Sequence, residues 1–272
     1  MKKKVIIIFI LFLLVIFLFA GKLSPKDEIS DGTFSRGEEK KAEVESSVAN
    51  RSPDNLARIK AMDKMVIKSE EEIAGVQKEK IKIDVPFASQ APFGDWDDPL
   101  QQDACEEVAA LMAVSWGRGE RAIDADAVVA EIEKISAYEL EHLGTYVDTS
   151  ASSTMEFIFQ GYFSYDNVEL VYDVEFSDII KELKAGNIIV APFNGRRLNI
   201  YYSPPGPARH MLVIVGYDYN REEFITNDPG TRRGKFYYYK KDILLEAMRD
   251  YPTGNNEPIV EERRAMIVVS PE

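Results

Sequence analysis

The chain has one cysteine and two histidines in 272 residues. A lone thiol, Cys105, cannot form an internal disulfide, and it excludes a structural metal site built from several cysteines. The histidines, His142 and His210, form neither an HExxH motif nor a four-residue pair that would set two imidazoles on one helix face, so no metal is expected. Positive charge is scarce as well. The 33 Lys and Arg residues face 46 Asp and Glu, a formal net charge of −13, which removes the electrostatic basis for binding nucleic acid. No GxGxxG follows a strand pattern, and the GTRRGK stretch at 230–235 lacks both the Walker spacing and the hydroxyl residue after its lysine, so no nucleotide partner is expected. With 45% apolar residues and 11% aromatics the chain is nevertheless rich enough to build a core.

Charge and apolar residues are unevenly distributed. Up to residue 80 the chain carries a net charge of +2, and beyond it −15. Lys2, Lys3 and Lys4 precede an unbroken apolar run from Val5 to Ala20, which as a helix spans about 24 Å of a bilayer core of about 30 Å. A cleaved signal peptide would have a shorter run and a small residue three before the cut, where Leu18 stands. Residues 1–21 therefore read as an uncleaved signal anchor. The lysines stay in the cytoplasm and the remaining chain lies outside the membrane; it is secreted if the segment is cut. Residues 22–80 hold a single aromatic, Phe34, among many Lys, Glu, Ser and Asp, and read as a charged spacer. Leu56, Ile59, Met62, Met65 and Val66 stand at helical spacing there and mark a short helix.

Residues 81–272 form the one expected domain. IKIDVPFASQ reads as an extended entry and APFGDWDDPLQQ as a loop. A helix follows, with Asp103 as N-cap and Glu106 as its capping-box partner, an apolar stripe of Val108, Ala109, Leu111, Met112 and Trp116, and a stop at Gly117 and Gly119. Further helices are expected from Ala125 to Ile135, from about Ser150 to Gln160, and from Ser177 to Ala185. NIIVAPF, HMLVIVGYDY, EEFITND, GKFYYYK and AMIVVS are rich in β-branched and aromatic residues and read as strands of one antiparallel sheet. Helices followed by such a sheet make an α+β domain with the first helix packed on the sheet.

On that frame, Cys105 falls at the second position of the first helix, where free N–H groups and the macrodipole favour a thiolate and lower its pKa. Position alone reads equally well as a small packed thiol, and Glu106 and Glu107 oppose a neighbouring anion. His210 opens a strand after YYSPPGPAR, a loop stiffened by three prolines. A hairpin turn near Tyr219 to Arg221 pairs residues whose numbers sum to about 440, which brings Asp228 beside His210. A carboxylate there fixes the imidazole tautomer and leaves the second nitrogen for the thiol. Asn227 is the alternative partner, but alternation sends neighbours to opposite faces, so only one of the two can serve. Gln90 ends the extended entry, where its amide N–H can assist an oxyanion. Phe93, Trp96, Tyr201 and Tyr202 are candidates for lining a peptide groove, and His142 reads as a surface residue.

The blocks VPFASQAP, DACEEVAALMA, DIIKELKAGNIIVAPF, HMLVIVGYD and ITNDPG, in that order, resemble the papain-like cysteine peptidases that process double-glycine leader peptides in bacteriocin exporters, above all their stand-alone relatives. The resemblance runs from about Val85 to Val269. It implies a papain-like α+β fold, a Cys105 nucleophile, His210 as its histidine, Asp228 as the acidic partner and Gln90 as the oxyanion glutamine, with no cofactor. Glu106 departs from the family's frequent glycine after the cysteine, and the spacing from Gln90 to Cys105 is longer than in the exporter domains. The expected function is a membrane-anchored, extracytoplasmic cysteine peptidase acting on a peptide or protein substrate. A non-catalytic peptide-binding module on the same fold and an acyl transferase are the alternatives.

Overall fold

Strands buried on both faces lose the apolar–polar alternation of a half-exposed sheet, and four segments show it: Ile188–Phe193, His210–Asp218, Glu223–Asn227 and Ala265–Val269 are buried at every position. They form the centre of the sheet. The computed structural model describes residues 80–198, 205–254, 258–259 and 263–272. The anchor expected over residues 1–21 and the spacer with its short helix, apart from Lys80, lie outside these residues, as do Tyr201 and Tyr202. No helix among the described residues is long and apolar enough to cross a membrane.

The strands are β1 (Ile81–Lys82), β2 (Val168–Tyr172), β3 (Ile188–Phe193), β4 (His210–Asp218), β5 (Glu223–Asn227), β6 (Tyr237–Lys240) and β7 (Ala265–Val269). They pair antiparallel throughout in the order β2-β7-β3-β4-β5-β6, with β1 added beside β4. The helices are α1 (Pro99–Asp103), α2 (Cys105–Gly117), α3 (Ala125–His142), α4 (Ala151–Ser153), α5 (Phe176–Ala185) and α6 (Lys241–Ala247). A wider helical turn, Thr154–Tyr162, continues α4. The α+β class and the packing of α2 on a mainly antiparallel sheet are as expected.

Two cores lie on opposite faces of the sheet, and alternation along β4 divides it between them. Met211, Val213 and Val215 pack with α2 and α3, whereas Leu212, Ile214 and Tyr217 pack with α5 and α6. α2 is buried on nearly every side, the pattern of a central helix rather than a surface one. β3 and β7 alternate in the same way, with Ile188, Val190, Ala265 and Ile267 towards α2 and Ile189, Ala191, Met266 and Val268 away from it.

Several expectations need correction. α2 begins at Cys105 with Ala104 as its cap, because a separate turn of helix, α1, absorbs the residues up to Asp103. Asp98 caps α1, accepting from Leu100 N, and Pro99 sits at its first turn, a start signal inside a stretch that reads as loop. Asp103 therefore ends a helix instead of capping one. α3 runs on to His142, well beyond Ile135: its buried face continues through Ser136 and Glu139, polar residues that break the apolar pattern but not the helix. β2 and α6 had no expected counterpart.

Gly216 shows how tightly the entry strand is fitted. Ile83 N donates to Val215 O at 2.8 Å, and a β-carbon on Gly216 would stand 2.2 Å from Ile81 O. Gly216→Ala must push β1 off β4, and overpacking of this kind costs about 1–3 kcal/mol. A lowered urea midpoint at unchanged m-value is the expected outcome, and a midpoint equal to the parent's would show that β1 yields freely.

Candidate active site

The β4–β5 hairpin builds the first half of the site. Val213 pairs with Asn227 and Ile214 with Thr226; beyond a bulge at Val215, Gly216 pairs with Ile225 and Asp218 with Glu223, so paired numbers sum to 440 and then 441. Asp218 closes the turn by accepting from Asn220 N and Arg221 N. This register carries β5 out at Asn227 just where β4 begins at His210. His210 Nε2 lies 2.8 Å from Asp228 Oδ1, with both side chains buried.

Asp228 is held on both oxygens. Oδ1 also accepts from Gly230 N at 2.9 Å, and Oδ2 accepts from Tyr239 Oη at 2.6 Å. Its own N–H donates to Gly234 O, and a β-carbon at Gly234 would fall 1.8 Å from Asp228 O, so only glycine fits there. Asn227 has different work: Nδ2 donates to Val85 O and Oδ1 accepts from Phe236 N, pinning the entry segment to the sheet. Tyr239 has no signature in the sequence beyond its place in an aromatic strand.

The imidazole responds to two opposed effects. Burial pushes the His210 pKa down, but the charge of Asp228, its hydrogen bond, and the more distant Glu106 outweigh burial and leave it raised above the ordinary value. Stability from this pair is therefore fully present below about pH 6.5 and is lost as pH rises through the higher folded value.

The second half of the site comes from α1, α2 and the entry segment. Ser89 Oγ and Gln90 N both donate to Pro229 O, tying the entry segment to the turn after Asp228. Gln90 Nε2 donates to Gln101 O and Gln102 O at 2.9 and 2.8 Å, so both amide hydrogens are spent on the end of α1. In this state it has no N–H left for an oxyanion, and that role needs one carbonyl released. Cys105 is the first residue of α2, and its thiol donates to Glu106 Oε2 at 2.9 Å. Glu106 does not turn back to Asp103 as a capping box requires; its other oxygen accepts from Tyr251 Oη at 2.6 Å.

The expectation of a lowered thiol pKa is reversed. Burial pushes the Cys105 thiol well up, the charge of Glu106, its hydrogen bond and the charge of Glu107 push it further, and only a hydrogen bond from the Met211 backbone opposes them. A helix N-terminus is a weak term beside desolvation and two carboxylates. Behind Cys105 the acids themselves are perturbed. Burial, then the charges of Glu139 and Glu106, raise Glu107 well above the usual range. Burial and the charge of Glu106 push Glu139 up to about 9 against a hydrogen bond with Glu107.

Gln90, Cys105 and His210 line one cleft of about 560 Å³, with Trp96, Asp148 and Arg209 also in its wall. Arg209 and Asp148 form an ion pair at 3.0 Å. Trp96 thus reaches the cleft, whereas Phe93, 61% exposed, lines a separate depression with Asp95 and Asp98. His142 is a surface residue, stacked on Tyr138 at 3.9 Å between ring centroids. Among the described residues no group of three or more His, Cys, Asp or Glu side chains is arranged to hold a metal ion.

A family model described as the Peptidase_C39 like family matches residues 82–252. None of the curated proteins matches the chain. Among solved structures, the chain is similar to a Bacillus anthracis protein provisionally assigned as a C39-like peptidase, with 16% sequence identity and a TM-score of 0.42 over 71% of this chain and 98% of that one.

Asp228→Asn removes the charge that lifts His210 while keeping the size of the side chain. The His210 pKa should fall below about 6.5 by NMR titration, with His142→Gln identifying the two imidazole signals. An unchanged pKa would mean that Asp228 does not govern the imidazole.

Proposed function

The chain belongs to the peptidase C39-like family, and from that membership we propose that it is a cysteine peptidase in which Cys105, His210 and Asp228 act on a peptide bond. Cys105 attacks the carbonyl carbon, His210 transfers protons at the reacting centre, and Asp228 holds its imidazole in one tautomer. Gln90, with one N–H turned from α1, and the Cys105 backbone N–H steady the oxyanion. The observation that carries the reading is the bond from buried Asp228 to His210, which lines the cleft that holds the chain's one thiol. Because Nε2 is committed to Asp228, Nδ1 is the nitrogen left for the reacting atoms.

One observation favours a second reading, a peptide-docking module: the thiol is bonded to a carboxylate and its pKa is raised. An acyl transferase would use the same residues with an amine in place of water. Cys105→Ala decides between cutting and docking. Hydrolysis of a fluorogenic peptide library should fall to background at nearly unchanged Tm; turnover retained by the variant removes Cys105 from the chemistry, and binding without turnover by the parent favours docking.

We further propose that residues 1–21 anchor the protein with its domain outside the cytoplasmic membrane. The support is the order of three lysines and an unbroken apolar run. The full chain should sediment with membranes and be cut by external protease in spheroplasts, and a variant lacking residues 1–21 should do neither.

A further inference from the structure

Glu106 has no part in the chemistry proposed above, yet its carboxylate is the group bonded to the nucleophile. Cys105 Sγ donates to Oε2 at 2.9 Å and Tyr251 Oη donates to Oε1 at 2.6 Å. Glu106 and Tyr251 are each 2% exposed, and Cys105 is 8% exposed. Both carboxylate oxygens act as acceptors, which is the pattern of an ionised group. A thiolate at the same place would set two anions in contact in a buried site, so the sulfur and Glu106 cannot both be charged at low cost.

Resting on the peptidase reading, we propose that Glu106 is a further catalytic residue, the acceptor of the Cys105 proton, so that the attacking thiolate forms as Glu106 becomes a carboxylic acid. His210 then serves the substrate's nitrogen and the water. The S–H bond breaks, the proton passes to Glu106 Oε2, and the electron pair stays on sulfur, steadied by the acid O–H and the Met211 N–H. The thiolate adds to the carbonyl carbon; the C–N bond then breaks, and the leaving amine takes its proton from the His210 imidazolium. A thioester, a protonated Glu106 and a neutral His210 remain. Water adds to the thioester as His210 takes its proton, the C–S bond breaks, and the sulfur recovers its proton from Glu106. The acid product leaves, and thiol, carboxylate and imidazolium are restored.

The surroundings fit this division. Burial, with the Asp148 charge, raises the proton affinity of Glu106 against the hydrogen bonds from Cys105 and Tyr251, as an acceptor of a thiol proton requires. The buried Asp228 carboxylate, with Oδ1 2.8 Å from His210 Nε2, is the partner that an imidazolium at the start of the cycle requires. The other charged or titratable groups that act on Glu106 or its two partners are Glu107 on α2, Glu139 on α3, Asp148 with its partner Arg209, and His210 on β4. Glu107 and Glu139 repel an added anion, and so favour a cycle in which the Cys105–Glu106 pair keeps a single negative charge.

The test uses iodoacetamide on the full chain, with alkylation rates measured from about pH 6 to about pH 10.5. Glu106→Gln keeps the shape but removes the charge, and the alkylation midpoint should fall by about one unit or more, about a tenfold gain in thiolate below the midpoint. Tyr251→Phe removes a donor that stabilises the carboxylate, so the shared proton is held harder and the midpoint should rise. Opposite shifts are what a proton-sharing pair produces and a packing role does not. If Glu106→Gln fails to fold, as Tm and circular dichroism would reveal, Tyr251→Phe decides alone. An unchanged midpoint in the folded variant, or shifts of both variants in one direction, overturns the inference. His210→Ala, measured alongside for alkylation and for peptide hydrolysis, separates the two readings: a parent-like alkylation profile is expected where Glu106 takes the thiol proton, whereas hydrolysis retained by the variant counts against the peptidase reading while leaving the Glu106 result standing.

Discussion

The register of one hairpin governs the site. β4 and β5 must pair so that Val213 meets Asn227, because a slip of one residue would turn every core side chain of a doubly buried strand to the wrong face. Apolar burial towards α2 on one side and α5 on the other therefore specifies the register far more strongly than any contact at the site could. The pairing of His210 with Asp228 is a consequence of that burial. The bulge at Val215 adjusts the strand where β1 joins it, and Gly216 lets the two backbones approach. The hydrogen bonds from Asn227 to Val85 and from Ser89 to Pro229 then fasten the entry segment, and with it Gln90, to the same hairpin.

Much of this was legible because it rests on local rules. Strands rich in β-branched residues, the turn near Tyr219 to Arg221 and the hairpin arithmetic needed no knowledge of the rest of the chain. The start of α2 was not legible in the same way. Asp103 and Glu106 have the spacing of a capping box, and that local bond competes with a distant one: Glu106 reaches Tyr251, 145 residues on, in a buried place where an unmet carboxylate is costly. Sequence spacing reports the local option only. The same limit hid Tyr239, whose hydroxyl finds Asp228 through sheet pairing, and shortened α3, where Glu139 looks like the end of an apolar face although it is fully buried.

The grouping of the candidate site residues was legible where residue type and order coincide. Gln90, Cys105 and His210 line a single cleft, and Asp228 stands behind His210. The electrostatics were not, since the helix N-terminus and the carboxylates act on Cys105 with opposite signs and only burial sets their relative size. A thiol at a helix start reads as activated; the same thiol against Glu106 in a closed site is a stored proton.

Charge counting meets the same physics. The formal charge of −13 treats every carboxyl as ionised, yet burial and the charge of Glu106 push Glu139 up to about 9, which favours its protonated form. Between the ordinary carboxyl pKa of about 4.3 and that raised value, the native state binds more protons than the unfolded chain. Its stabilising share is whole at the acid end and is lost as pH rises through the folded pKa. His210, also raised, has the same sign over a higher starting value. Glu139 lies on α3 and His210 on β4, so both elements packed against α2 are linked to proton uptake. A fold that buries its acids behind a thiol thus ties stability and the resting state of that thiol to the same variable, and both favour the protonated side.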